Sequence, residues 1–244
     1  MTTSVFPELR FRLPGKWYSI DVSSEAAADE SARRMAEELV GTSDEAALVR
    51  IKLRERVRRA AEGGRAGAIR AMFLATELQK GVALPATLTV FEPPKLRMAP
   101  AVGTSPEAVA GTMRKALAEV GVDGIEEAEE LDCGAFRALR ISRIEAEGWS
   151  PTALDESGVD ADAAARYPFA YSPEATAEAE RSVQRRLVIE YWCTVPESKQ
   201  VLVVVCSTPL GDIAHAMVRL FDSILTAATY VPAPREEAAT SLAG

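Results

Sequence analysis

Six consecutive apolar residues, Val201-Leu202-Val203-Val204-Val205-Cys206, run almost directly into an amphipathic stretch from about Pro209 to Ala228. A strand with no polar residue has no face to give to water, so it belongs in the middle of a sheet covered on both sides. The helix that follows can fold back as one of those covers. Near the other end, Phe11 to Val22 reads as two short strands around a Pro14-Gly15 turn.

The segments between follow local rules. Ser24 is placed to cap a helix ending at Val40, with Gly41 as its stop and Ala28, Ala32, Met35 and Leu39 as an apolar stripe. A second helix is predicted from Asp44 to Glu62, ended by Gly63-Gly64, with Val49, Leu53, Val57 and Ala60 facing inward. Strands are predicted over 68–78 and 84–91, joined near Gly81. In the second, Leu84, Ala86, Leu88 and Val90 alternate with Pro85, Thr87, Thr89 and Phe91, the period of a half-buried strand. Ser105, Pro106, Glu107 and Gly121 mark both ends of a helix whose inner face is Val109, Met113, Leu117 and Val120. Two more strands are expected over 124–131 and 135–145, turned at Asp132-Cys133-Gly134, and another over 185–195.

Strand pairs joined by short turns imply an antiparallel sheet, and helices on its faces give an α+β fold. Residues 1–231 are expected to form one such domain, interrupted by a long excursion at about 148–180. The tail over 232–244 lacks an apolar pattern and is expected to be disordered. No internal repeat is present.

Composition excludes several classes. The 244 residues carry a formal net charge of −8, which disfavours general nucleic-acid binding. No run of about 20 apolar residues exists, so no transmembrane segment is expected. The first residues lack a basic and apolar leader pattern, which points to a cytoplasmic protein. Abundant Ala, Arg and Glu with scarce Lys, Asn and Ile suggest a high-GC bacterial genome. Cys133, Cys193 and Cys206 are odd in number and far apart with no CxxC spacing, so they read as small buried apolar residues.

The order of elements, the Leu13-Pro14-Gly15-Lys16-Trp17 opening and the terminal strand-to-helix unit resemble the PsbP-like fold superfamily. That group includes a photosystem subunit, a Ran-binding import factor and the Eag-type chaperones of bacterial secretion. The likeness is one of layout, spans about residues 8–230, and has Trp17 as its sequence match. The long excursion and the paired early helices depart from the simplest version of that fold. The resemblance implies protein binding without a shared catalytic centre, so no functional residue is carried over.

Candidate sites divide by chemistry. His215 falls on the polar side of the last helix with Asp212, Arg219 and Asp222, opposite Ile213, Met217, Leu220, Phe221 and Ile224. A single surface histidine supplies neither a metal cluster nor a triad. The acidic run Glu126 to Asp132 carries hard-ion ligands but no calcium-loop glycine, and reads as a solvated edge. Gly63-Gly64 follows a helix instead of opening one, so it cannot cradle phosphate. No metal or cofactor is expected.

Two regions point to a partner. Arg50, Lys52, Arg54, Arg56, Arg58 and Arg59 put positive charge on one helix of an acidic chain. Arg54 and Arg58 are therefore candidates for an acidic partner or a peripheral membrane surface, against the alternative that they neutralise their own domain. Trp149, Tyr167, Phe169 and Tyr171 concentrate aromatics in the excursion of a chain that is 6% aromatic. They read as a binding loop or as pins holding that loop to its core. The resulting expectation is a non-enzymatic protein-binding module, with a secretion accessory or adaptor as one version. The alternative is a small-molecule or lipid pocket between sheet and helices near Trp149 and Trp192.

Overall fold

The computed structural model describes residues 7–44, 47–65, 69–93, 98–99, 101–148 and 183–231. Among these, β2 (Lys16–Ile20), β3 (Ile69–Gln79), β4 (Val82–Phe91), β5 (Glu129–Asp132), β6 (Arg137–Gly148), β7 (Val183–Thr194) and β8 (Val201–Thr208) form one sheet. Every pairing is antiparallel and the order is β2-β3-β4-β8-β7-β6-β5. The apolar run of β8 is thus the central strand of seven. With helices α1 (Glu25–Val40), α2 (Ala47–Arg65), α3 (Pro106–Glu119) and α4 (Ala214–Thr226), the fold is α+β.

Two rows of residues show how the apolar run of β8 is used on its two faces. Phe73, Leu88, Cys206 and Ile189 lie side by side across four strands and point to one face. There they meet Met217, Phe221, Ile224 and Leu225 of α4 in the largest core cluster. Ile20, Met72, Thr89, Val205, Glu190 and Ile141 form the opposite row. On that face α1 and α2 cover Ile20 and Met72 at one margin, while α3 covers Leu139, Ile141 and Val201 near the other. Val204 is fully buried and Val203 nearly so, while Val205, between the two helical covers, is half-buried.

Helix ends obey local chemistry. Ser24 Oγ accepts from the Ala27 N–H at 3.1 Å, and the Gly41 N–H donates to Glu37 O with Gly41 at φ 77°. Ser105 Oγ accepts from the Ala108 N–H at 3.3 Å, just ahead of Pro106. Strand β4 buries Leu84, Ala86, Leu88 and Val90, as its alternation requires. The last helix begins later than its apolar pattern suggests, because a 3-10 turn over Gly211–Ile213 precedes it.

The structure corrects several local expectations. The two opening strands do not pair around Pro14-Gly15. Instead β1 (Glu8–Arg10) pairs with β9 (Thr229–Val231), so the two ends of the described fold close on each other. Gly15 bends the chain past β3, where a Cβ would collide with the Glu77 and Leu78 carbonyl oxygens. Its φ of +82° also disfavours a side chain. Gly15→Ala is expected to destabilise by about 2 kcal/mol or more through clash and strain together. Chemical denaturation measures it, and an unchanged midpoint would contradict the close approach.

Strand β5 is confined to Glu129–Asp132, and Glu126 and Glu127 occupy turns before it. Val120 closes α3 at its C-cap and is 75% exposed, since the chain leaves the helix there before the residue can turn inward. Leu39 and Val49, expected on inner stripes, lie in water, and Ala36 and Ala61 pack in the core. The tail over 232–244 and most of the excursion lie outside the described residues.

Candidate functional site

Helices α1 and α2 form an antiparallel hairpin at the β2–β3 margin of the sheet. Ala28, Ala32 and Met35 of α1, with Val57 and Ala61 of α2, seal its inner side against Ile20 and Met72. The outer side is a groove in two connected parts of about 760 and 220 Å³. Ile51 and Arg54 line both parts, so they mark the middle of the groove. Ala26, Ala36 and Ala47 contribute small side chains to it.

Arg54 and Arg58, the basic candidates, are placed by this hairpin. Arg54 makes a bidentate ion pair across to Asp29 of α1. Arg58 pairs with Glu55 at 2.9 Å and lies 4.0 Å from Glu25. The Arg54 guanidinium holds the Asp29 carboxyl below its ordinary pKa. Arg50 is used differently, since its guanidinium donates to the Gly41 and Ser43 carbonyls at 2.8 and 2.7 Å. This caps the C-terminal end of α1. Arg50, Arg54 and Arg58 therefore tie α2 to α1 and to the turn after it while also lining the groove.

The apolar content of this surface was not read from the sequence. Leu48 and Ile51 are 39 and 63% exposed, two of the eight large apolar residues found in water among the described residues. Leu48 and Ile51 stand one helical turn apart, on the side of α2 away from Leu53 and Val57. That spacing was available in the sequence as a second apolar stripe. Trp149, Tyr167, Phe169 and Tyr171 lie outside the described residues.

The sheet margins offer less to a partner. Strand β2 has five residues, and β5 has four with Glu129, Glu130 and Asp132 among them. Short, charged edges resist addition of a further strand. A third groove, about 410 Å³, opens beside Leu74, Pro85, Arg186 and Thr208. None of these three grooves reaches Trp192, which packs on the α3 cluster with its Nε1 buried and without a hydrogen-bond partner among the described residues.

His215 is exposed on α4, as the wheel requires. Asp222, two turns on, lies at the half-buried margin of the same side. It accepts from Tyr191 Oη at 2.8 Å and pairs with Arg140, whose other partner is Glu129 at 2.6 Å. Register explains the meeting, because Glu129, Arg140 and Tyr191 occupy one row across β5, β6 and β7. Burial of the Tyr191 phenol, reinforced by the neighbouring thiol and carboxylate, pushes its pKa well up, so it stays a proton donor. This is a brace between α4 and the sheet. Among the described residues, no group of three or more His, Cys, Asp or Glu side chains is arranged to hold a metal.

Cys193 and Cys206 are fully buried and Cys133 is partly so. Burial, with the Asp132 charge beside it, pushes the Cys133 thiol up to about 11. Only thiolate reacts, so little of this thiol is active near neutrality. Alkylation of Cys133 by iodoacetamide is expected to keep accelerating about tenfold per pH unit beyond pH 9, where an ordinary thiol levels off. A plateau near pH 9, measured by peptide mass spectrometry, would contradict its burial.

No protein-family model, curated protein or solved structure matches the chain. No described helix is long and apolar enough to cross a membrane.

Proposed function

We propose that the chain is a non-enzymatic protein-binding module whose contact surface is the outer face of the α1–α2 hairpin. One observation carries this reading: Leu48 and Ile51 leave apolar area in water on the side of α2 away from the sealed core, and Ile51 lines a charged groove. Scattered apolar residues are ordinary on a surface, but a cluster rimmed by paired charges is the composition of a docking site. The alanines let another backbone come close, and Ile51 supplies an anchor. The resemblance to Eag-type chaperones supports one version of this reading, a secretion accessory or adaptor.

The test is photo-cross-linking with a photoreactive phenylalanine analogue at position 51, in cells expressing the whole chain. The reading predicts a discrete protein adduct from position 51. The same analogue at Val120, exposed but remote from the hairpin, should give none. Equal labelling from both positions, or no adduct from 51, would refute this contact surface.

A further inference from the structure

We propose that the hairpin groove takes a second copy of this chain, packed about a two-fold axis as an antiparallel four-helix bundle. This rests on the α1–α2 face being the contact surface and names what it contacts. The occupant follows from how charge is distributed along the groove. One end holds Glu25, Asp29 and Glu55, opposed by Arg54 and Arg58. The other end holds Arg33 and Arg50, and because Arg33 is already paired with Glu30 and Glu37, Arg50 is the arginine it has to offer.

A two-fold axis through the middle, at Ile51, turns the acid-rich end of one copy onto the arginine-rich end of its partner. Self-complementarity of this kind is what an isologous interface requires. The clearest pair is Glu25 with Arg50. Glu25 is 68% exposed at its side chain and has Arg58 only at 4.0 Å. Arg50 is held by two carbonyls, and no ion pair to a carboxylate is found for it among the described residues. Each dimer would contain this cross-pair twice, with the two Ile51 side chains meeting at the axis.

Size is consistent with a reversible dimer. Helix α1 has 16 residues and α2 has 19, so the face is roughly 25 Å long and two helix diameters, about 20 Å, wide. That is a modest patch near the low end of specific interfaces, and the expected Kd is on the order of micromolar.

Sedimentation equilibrium of the whole chain tests the proposal. A concentration-dependent shift from 26.2 kDa toward twice that mass is expected. Ile51→Glu should raise the Kd at least tenfold while leaving the circular dichroism unchanged, because Ile51 is exposed. Glu25→Arg and Arg50→Glu should each weaken self-association, since each sets like charges against each other twice. An equimolar mixture of these two variants should recover it, since the mixed dimer has one cross-pair with reversed sign and one native Glu25–Arg50 pair, both attractive. A wild-type chain that stays monomeric at about 100 µM, or a dimer indifferent to Ile51→Glu, overturns the inference. Should the chain stay monomeric while position 51 still cross-links to a different protein, the second copy is excluded and the docking surface stands.

Discussion

Phe221→Ala is expected to remove about 3–5 kcal/mol of stability, the largest loss from any single truncation considered for α4. Phe221 is 1% exposed and stands where α4 meets the face formed by Leu88, Ile189, Val204 and Cys206. Truncation deletes the transfer free energy of the ring and leaves a void, because the sheet below cannot collapse into it. For a chain of this size the midpoint of thermal unfolding should fall by roughly 10 °C. Calorimetry measures the drop, with Leu220→Ala as a comparison from a partly exposed position on the same helix. Equal losses at the two positions would mean that α4 is not seated on the sheet through Phe221.

Asp222→Ala is the second large effect, expected to cost about 2–4 kcal/mol. It strips the acceptor from the buried Tyr191 hydroxyl and one of two carboxylates from Arg140, which is only 12% exposed at its side chain. Glu129 remains on Arg140, which keeps the loss below that of an entirely orphaned charge. Tyr191→Phe, which removes only the hydroxyl, should cost about 1 kcal/mol. In the double variant the losses should fall short of additivity, since both remove the same hydrogen bond. Strict additivity in denaturant titrations would show that Asp222 and Tyr191 do not interact.

These two residues also show what a sequence can and cannot state. The stripe read along the last helix was Ile213, Met217, Leu220, Phe221 and Ile224, with Ile213 and Leu220 on one edge. The buried arc is rotated toward Leu225 and Val218, which brings Asp222 to its margin. A wheel fixes the angles between residues but not which apolar arc the sheet will select. In the chosen arc Asp222 meets Arg140 of β6, 82 positions away. The caps at Ser24 and Ser105 and the alternation of β4 were legible because each depends on neighbours in the chain. The β8 run was legible for another reason: only a central position leaves no face for water.

Non-local pairings were not legible. The Pro14-Gly15 turn read as a hairpin because its local chemistry permits one, but the partner of β1 is β9, across more than 200 residues. In the candidate site, the arginines at 54 and 58 were visible as charge, yet their ion pairs to α1 require knowing that the two helices lie antiparallel. Leu48 and Ile51 were passed over because a helix presents one dominant apolar stripe, and theirs is the minor one. In a hairpin whose inner face is already sealed, the minor stripe is the one left for a partner.

The central claim is a division of labour, with a sheet closed around β8 and a docking hairpin at its margin. Residue-resolved amide hydrogen exchange, measured at low and high protein concentration, tests it most directly. The account predicts that β8 and β7 exchange slowest at both concentrations, and that protection gained on concentrating is confined to α1 and α2. Exchange in β8 as fast as in the edge strands β2 and β5, or protection gained on α4 in place of the hairpin, would contradict it.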